Sequence, residues 1–323
     1  MLKTDYSKTK GIVLPFPYNF SDKEYHQLSN FFIELYKLIP KEIKLNVICN
    51  STSAVEMLLS KTKGIDINII QIDGFDELWL RDILGLKSDK GVFLPQYKPD
   101  YFKKTYSTDY IEQLRNQVYQ IHKSLGNNVV DLEIELDGGN FVTNGEVAII
   151  TDKAVKANSK VDMVAYFQEH LNVSPIIIEQ SVSDILGHSD GTLSFLNKNT
   201  IALSIYPENL PSLKEERKAQ LNIKKKFEDK GFGVVEVYDR PVDEVVGVPD
   251  DFLFGARGIY VNNILLNNTV ILPQFNLPKY KAIKDYNALN KSIFEGLGYN
   301  TKTIQSDLLG KQGGVLHCVS WCY

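Results

Sequence analysis

Four short polar stretches interrupt the apolar pattern of the chain and carry the residue types that do chemistry. They read WLRD (79–82), DGGN (137–140), GHSD (187–190) and GGVLHC (313–318). Cys318 is a candidate nucleophile, because a thiolate is the strongest nucleophile among ordinary side chains near neutral pH. His188 is a candidate acid and base. A thiol and an imidazole together predict nucleophilic catalysis with proton transfer.

Three carboxylates accompany these two groups: Asp82, Asp137 and Asp190. Carboxylates that are brought together repel one another unless a cation neutralises them. That cation would be a metal ion or the substrate, and a planar guanidinium matches carboxylate geometry bidentately. His188 and Asp190 are two residues apart, which is the spacing of one face of a strand. The pair therefore predicts a histidine that works beside a substrate-binding carboxylate.

The same features also have ordinary structural interpretations. A Gly-Gly pair is usually a turn, an aspartate beside an arginine is most often an ion pair, and a lone cysteine is more often a small buried hydrophobe. Cys49 ends an apolar run and is expected in the core. The histidines of helical, charged segments are expected at the surface: His26, His122 and His170.

The C-terminal tail reads as a strand-like apolar run that follows Gly313 and Gly314. The two glycines would leave room for a flat cation. Neighbouring strand residues point to opposite faces, so His317 is expected to be structural or to support the site from behind. Trp321 either caps the pocket or buries the terminus. Cys322 is expected to be accessory.

The composition limits the function classes. The chain has 323 residues, 43% of them hydrophobic, which is enough to bury a large core. Its net charge of -4 gives no basic excess for phosphates, so the sequence argues against a nucleic-acid partner. No apolar run reaches the roughly 18 residues of a membrane span, and we expect no secretory signal. The three cysteines are too few for a disulfide framework and lack the second pair of a zinc site, so we expect a cytoplasmic protein.

Strand-like and helix-like segments alternate along the whole chain, which predicts an α/β fold. Five apolar strand-like segments resemble one another in sequence, and each is followed by a helix-like segment and another β run. The five segments are residues 11–16, 91–97, 146–151, 200–206 and 269–275. A unit that repeats every few tens of residues suggests a ring. The first three polar stretches are nearly in phase with this repeat and would meet at the centre of such a ring. No linker divides the chain, so residues 1–323 are predicted to be one domain.

In their order and separation, the four stretches resemble the agmatine deiminase and bacterial peptidylarginine deiminase family of guanidine-modifying enzymes. That family shows W-x-R-D, E-G-G-N/S, G-H-x-D and a C-terminal G-G-x-x-H-C. A Y-x-N segment followed by a strand also matches at residues 260–262 and in VILPQF. The resemblance implies the pentein fold, a five-bladed pseudo-fivefold α/β propeller of ββαβ-type units.

The resemblance also implies a role for each catalytic residue. Cys318 would attack the guanidinium carbon and form a covalent thiouronium intermediate. Asp82 and Asp190 would grip the guanidinium nitrogens. His188 would protonate the departing ammonia and then activate water, and Asp137 would orient His188. No metal and no organic cofactor is needed.

Further residues would bind the substrate. The resemblance implies that Trp79 packs on its aliphatic chain and that backbone groups near Gly313 and Gly314 line the pocket. Asp184 would meet a distal amine, which favours agmatine over arginine. Arg257 would instead hold an arginine carboxylate, so both substrates stay open.

The leading hypothesis is a hydrolase that converts agmatine to N-carbamoylputrescine and ammonia, a step of putrescine and polyamine biosynthesis. Deimination of arginine or peptidyl-arginine, and amidino transfer, are alternatives of the same fold. A metal-dependent hydrolase that uses His188, Asp190 and Asp137 is an alternative from another class. A catalytically inactive binding protein is a fourth interpretation. The expected partner is a small guanidine molecule, and a homodimer is left open.

Overall fold

The computed structural model describes residues 1–19, 22–99, 107–181, 184, 186–208, 213–240, 255–276 and 285–323. The strands are β1 Gly11–Phe16, β2 Lys44–Cys49, β3 Ile67–Gln71, β4 Leu86–Ser88, β5 Gly91–Gln96, β6 Val129–Glu135, β7 Val142–Thr143, β8 Val147–Thr151, β9 Ser174–Ile178, β10 Leu193–Asn197, β11 Thr200–Ile205, β12 Gly233–Tyr238, β13 Ile264–Leu266, β14 Thr269–Gln274, β15 Asn300–Gln305 and β16 Trp321–Cys322.

The helices are α1 Lys23–Leu38, α2 Thr52–Lys61, α3 Leu80–Ile83, α4 Thr108–Ser124, α5 Asp152–Ala157, α6 Met163–Tyr166, α7 Lys214–Asp229, α8 Tyr286–Gly296 and α9 Asp307–Lys311. Of the helices formed by the described residues, none combines the length and the apolar character needed to cross a membrane. Two residues with helix signals in the sequence lie outside the described residues: Ile283, at the spacing of an apolar stripe with α8, and Ser21, in a capping-box pattern before α1.

The chain divides into two compact units. The first unit comprises Met1–Lys3, Lys8–Gly138 and Cys318–Tyr323, and the second comprises Thr4–Ser7 and Gly139–His317. The prediction of a single domain over residues 1–323 stays a prediction.

The first unit contains two sheets, with strand orders β16-β1-β2-β3 and β4-β5-β6. β1 pairs in parallel with β2 and antiparallel with β16, so the C-terminal strand lies at the edge of the sheet. β5 is likewise central, antiparallel to β4 and parallel to β6. The core of this unit includes residues from both sheets and from α4, among them Val13, Ile48, Leu94, Val118 and Trp321.

The second unit contains three sheets, ordered β7-β8-β9, β10-β11-β12 and β13-β14-β15. In each, the first two strands are antiparallel, and the central strand pairs in parallel with the third after a helical crossover. This order of strands and helix is the ββαβ pattern. The apolar core joins neighbouring sheets here too, through residues such as Ile149, Phe195 and Phe227.

The five segments that the sequence identified as a repeat are the central or inner strands of these sheets: β1, β5, β8, β11 and β14. A strand with neighbours on both sides and apolar cover is hydrophobic throughout rather than alternating, which is why the five segments look alike. The predicted succession of inner strand, helix and further strand is confirmed for each. The mixed α/β fold is therefore established.

His122 corrects an expectation, because it is buried in the first unit and not at the surface. Its ring lies edge-on to the ring of Trp321. Nε2 is 3.0 Å from the carbonyl oxygen of Leu84, which can only accept, so Nε2 carries the proton. Nδ1 then accepts from the amide of Asn127 at 3.2 Å. The neutral ring satisfies both partners, so charging it is unfavourable. His26 and His170 are exposed, as predicted.

We predict that this histidine makes the protein sensitive to acid. Burial lowers the pKa of His122 to about 4, whereas an unfolded histidine titrates near ~6.5. The unfolded state therefore binds the proton first, and stability that is complete above about pH 6.5 is lost as the pH falls towards 4. Between pH 7 and 5 the free energy of unfolding should fall by about 2 kcal/mol less in His122→Gln than in the wild type.

Urea unfolding of both proteins at the two pH values measures this difference. His26→Gln, which changes an exposed histidine, is the matched control and should behave like the wild type. An unfolding free energy with the same pH dependence in His122→Gln and the wild type would contradict a neutral, buried His122.

Candidate active site

In the first unit, the WLRD stretch begins at Trp79, which precedes the short helix α3, and contacts the C-terminal tail. The backbone N–H of Arg81 donates to the carbonyl oxygen of Cys318 at 3.0 Å. Asp82 and Cys318 are buried, and Trp79 is half-buried. This backbone hydrogen bond joins the first and the last of the four stretches.

Gly138 brings the DGGN stretch to the same place. A Cβ atom at this position would lie 2.0 Å from the carbonyl oxygen of Arg81. Only glycine permits so close an approach of two backbone segments. The half-buried Asp137 precedes it directly. The first unit therefore groups Trp79, Asp82 and Asp137 around backbone contacts made by Arg81, and the same backbone holds Cys318.

The tail around Cys318 differs from the expected strand. Residues 316–319 form a turn, and only β16, which follows, is extended. Trp321 is buried and its indole N–H donates to the carbonyl oxygen of Gly85 at 2.8 Å. Of the two roles considered for Trp321, burying the terminus is the one that these contacts support. Cys322 is half-buried in β16.

Cys49 behaves as predicted for a packing residue. It is fully buried at the end of β2. Burial raises the pKa of its thiol to about 12, so it carries no thiolate at neutral pH.

In the second unit, the GHSD stretch leads into a short 3-10 helix, Ser189–Gly191, and does not form a strand. The expectation that His188 and Asp190 share one strand face is therefore wrong. The carboxylate of Asp184 shapes the approach to this helix, because it accepts from the N–H of Leu186 at 2.9 Å and of His188 at 3.2 Å. Both oxygens of Asp184 thus hold the backbone, and its predicted contact with a substrate amine stays a prediction.

Gly187 turns the chain just before His188. Its φ of +66° is a conformation that other residues rarely adopt. Its carbonyl oxygen accepts from the hydroxyl of Thr151 at 2.6 Å. Thr151 in turn exchanges two hydrogen bonds with the side chain of Asn140, at 2.8 and 2.9 Å. The last residue of DGGN therefore fixes the GHSD stretch through Thr151, a role that the sequence pattern did not reveal.

Asp190 and His317 form a buried pair in the same unit. Nδ1 of His317 lies 2.7 Å from Oδ2 of Asp190, and Nε2 lies 3.3 Å from Oδ2 of Asp5. The side chain of Asn262 bonds both backbones: its oxygen accepts from His317 N–H at 3.0 Å, and its amide donates to the Asp190 carbonyl oxygen at 3.4 Å. His317 thus contacts a predicted site residue directly. The Y-x-N pattern signalled Asn262, but nothing in the sequence signalled Asp5.

A buried carboxylate supports the segment that contains Asn262. Asp239 accepts from the backbone N–H groups of Tyr260 at 2.6 Å and Val261 at 3.3 Å. Burial raises the pKa of Asp239 to about 7. Sequence inspection gave no reason to single out this residue.

Arg257 and the glycine pair complete the second unit's contribution. Two donors of Arg257, Nε and Nη2, contact Oδ1 of Asp307 at 2.9 and 2.8 Å. Its guanidinium is therefore paired with a carboxylate of the chain itself. Gly313 has a φ of +99°, so glycine is required there by the turn that follows α9. Gly314 is buried beside it.

Comparisons with known proteins agree with these motifs. The model of the family described as Porphyromonas-type peptidyl-arginine deiminase matches residues 1–323. A search of the curated proteins found no match.

Solved structures resemble the chain at low identity. An agmatine deiminase of C. jejuni is 18% identical, with a TM-score of 0.78, over 99% of this chain and 95% of that one. An agmatine deiminase of Enterococcus faecalis is 13% identical, with a TM-score of 0.78, over 99% and 94%. A DDAH of Pseudomonas aeruginosa is 14% identical, with a TM-score of 0.55, over 98% and 100%. At these identities the likeness shows the fold alone.

The close approach at Gly138 predicts that this position tolerates no side chain. In Gly138→Ala the new methyl group would meet a backbone oxygen, which cannot rotate away. We expect the free energy of unfolding to fall by about 2 kcal/mol or more, the range of overpacked sites. Chemical unfolding followed by circular dichroism measures the change.

The matched control is Gly191→Ala. Gly138 and Gly191 each lie in a short 3-10 helix, but a Cβ at Gly191 would meet nothing within 4 Å. Its unfolding free energy should stay within about 0.5 kcal/mol of the wild type. Equal stabilities for the two variants would show that the approach at Gly138 imposes no constraint.

Proposed function

Because the chain belongs to the Porphyromonas-type peptidyl-arginine deiminase family, we propose that it is a hydrolase of guanidine groups and that its substrate is agmatine. The observation that carries the guanidine-hydrolase part of this proposal is the match of the family model over the whole chain, which contains all four stretches in order. The choice of agmatine depends on the pairing of Arg257 with Asp307. The products are N-carbamoylputrescine and ammonia.

The chemistry follows from the weak electrophilicity of a guanidinium, whose charge is spread by resonance. The group must be pinned flat before sulfur can attack its carbon. We assign this pinning to the carboxylates of Asp82 and Asp190, which match the planar donors of the substrate. Positioning of this kind contributes several kcal/mol to lowering the barrier.

The reaction then proceeds in two halves. The Cys318 thiolate forms a bond to the guanidinium carbon, and the carbon–nitrogen bond breaks as His188 gives a proton to the departing ammonia. His188 next takes a proton from water. The resulting hydroxide attacks the thiouronium carbon, the carbon–sulfur bond breaks, and the ureido product leaves. In this scheme Asp137 orients His188, and Trp79 packs on the methylene chain of agmatine.

Contacts within each unit support these roles. The tail that bears Cys318 is bound by backbone to the WLRD stretch. Asp190 is buried and accepts a hydrogen bond from His317. His188 follows a loop that is fixed by Asp184 and Thr151. A catalytic group must be held in a fixed position, and these contacts hold the segments that bear the proposed catalytic residues.

The pentein propeller belongs to the same proposal, and the five described ββαβ-type sheets support it.

The pairing of Arg257 with Asp307 favours agmatine over arginine as the substrate. Arginine carries a carboxylate that would need a cation, and the cation that the sequence offered is paired with Asp307. Agmatine has no carboxylate. Two of the similar structures are agmatine deiminases, which supports the same choice. Gly313 and Gly314, in the turn after α9, would line the pocket as the resemblance implies.

Deimination of peptidyl-arginine is the second candidate, because the description of the matching family favours it. Arginine deimination and amidino transfer remain alternatives of the same fold.

Among the residues that the structure describes, histidine, cysteine, aspartate and glutamate side chains form no group of three or more that could hold a metal ion. Activity after exhaustive chelation tests the metal-dependent alternative. A cytoplasmic location and a homodimer stay predictions.

One assay tests the substrate and the nucleophile together. Agmatine, arginine and a capped arginine peptide are incubated separately with the enzyme, and ureido product and ammonia are measured. We expect agmatine to be turned over with a kcat/KM at least about tenfold above the others. Cys318→Ser should lower that value by at least about a thousandfold, because it removes the nucleophile.

Cys322→Ser is the matched control, since it removes another thiol of the same tail, and its activity should equal that of the wild type. If the peptide is preferred, the second candidate replaces the first. Agmatine turnover that survives Cys318→Ser would contradict the proposed mechanism.

A further inference from the structure

His317 lies between two carboxylates of the second unit. Nδ1 is 2.7 Å from Asp190 and Nε2 is 3.3 Å from Asp5. The side chains are 8% exposed for His317, 3% for Asp190 and 20% for Asp5. Asp190 is the deepest of the three, and the contact to it is the shorter one.

The two contacts determine where the protons of the ring lie. An ionised carboxylate only accepts hydrogen bonds, so each ring nitrogen that faces one carries a hydrogen. With both carboxylates ionised, His317 donates a hydrogen bond from each ring nitrogen, and the two bonds fix the plane of the ring. A buried carboxylate requires a hydrogen-bond donor or a cation, and the ring supplies a donor to Asp190.

Asn262 fixes the backbones of the same pair. It bonds the N–H of His317 and the carbonyl oxygen of Asp190 with one side chain. The segment before Asn262 is held in turn by Asp239. Neither the backbone nor the ring of His317 can shift without breaking these bonds.

Asp5, the more exposed of the two carboxylates, lies in the N-terminal segment Thr4–Ser7. This segment belongs to the second unit, although the residues on either side of it do not. The hydroxyl of Tyr6 donates to the carbonyl oxygen of Asn144 at 2.9 Å and so holds the segment. Asp5 is thus delivered to His317 by a separately anchored piece of chain.

We propose that His317 and Asp5 are positioning residues, which hold the carboxylate of Asp190 in the orientation that binds a guanidinium. This role rests on the proposed function, because it concerns the substrate contact of Asp190. The N-terminal segment then contributes to substrate binding through a chain of two hydrogen bonds and not by touching the substrate. The effect of losing Asp5 should therefore appear in the recognition of a cation.

Two alkylating reagents of nearly equal shape isolate this recognition. 2-Chloroacetamidine is a cation whose planar amidinium group resembles a guanidinium with carbon in place of one nitrogen. Chloroacetamide is its neutral counterpart. The second-order rate constant of Cys318 labelling is measured for each by peptide mass spectrometry. Their ratio reports cation binding beside the thiol and cancels changes in the reactivity of the thiol itself. KM and kcat for agmatine are measured in parallel.

Asp5→Asn keeps the shape of the side chain and removes its charge. We expect the cation-to-neutral ratio to fall about tenfold and KM for agmatine to rise about tenfold, with a smaller change in kcat, as for a displaced binding group. His317→Gln should act in the same direction. Tyr6→Phe is the matched control, because it weakens the anchoring of the same segment and leaves the carboxylate in place. Its ratio should fall less than that of Asp5→Asn, because the Asp5 carboxylate is still present.

Asp190→Asn distinguishes a failure of the proposed function from a failure of the positioning role. If Asp190→Asn leaves the ratio at its wild-type value, Asp190 does not bind the cation and the proposed function of this residue fails. If Asp190→Asn lowers the ratio but Asp5→Asn does not, the positioning role alone is overturned. An equal fall of the ratio in Tyr6→Phe and Asp5→Asn would assign the effect to docking of the segment and would also overturn it.

Discussion

A carboxylate buried in a protein must be compensated by hydrogen-bond donors or by a cation, and this constraint organises the described structure around the motif stretches. Asp190 meets it with the ring of His317. The half-buried Asp184 meets it with two backbone N–H groups. Asp239 does so only in part, and its raised pKa is the consequence. The carboxylates of Asp184 and Asp239 hold backbone N–H groups, and that of Asp190 holds the ring of His317. The groups that compensate these carboxylates therefore also support residues that would bind a substrate.

The regular sheets supply the frame for these polar contacts. Each ββαβ unit places loops at the ends of an apolar inner strand, and the motif residues lie in such loops and short helices. Two glycines allow the loops their geometry for different reasons. Gly138 is needed because a backbone oxygen lies where its side chain would be, whereas Gly187 is needed for its positive φ. Both belong to stretches that would otherwise look like ordinary turns.

The sequence predicted the inner strands well, because an apolar run flanked by turns has few other interpretations. It predicted a further strand after the helix of the fifth unit but gave no bounds for it, since β15, Asn300–Gln305, lies at a sheet edge and is mostly polar. His122 was misplaced because the polar residues around it face outward on α4, while the histidine itself faces the core. The GHSD stretch was read as a strand, although its glycine and serine suit a tight turn. Asp5 could not have been found, because its partner lies 312 residues away and no local pattern marks it.

The proposed mechanism requires that the thiol of Cys318 becomes covalently bound to the carbon of a guanidinium. Its most direct test is peptide mass spectrometry of the enzyme quenched with acid during turnover of agmatine. We expect the peptide containing Cys318 to gain the mass of agmatine less ammonia, and the gain to disappear as substrate is exhausted. An adduct on a different residue, or undiminished turnover by enzyme whose Cys318 has been fully alkylated, would contradict it.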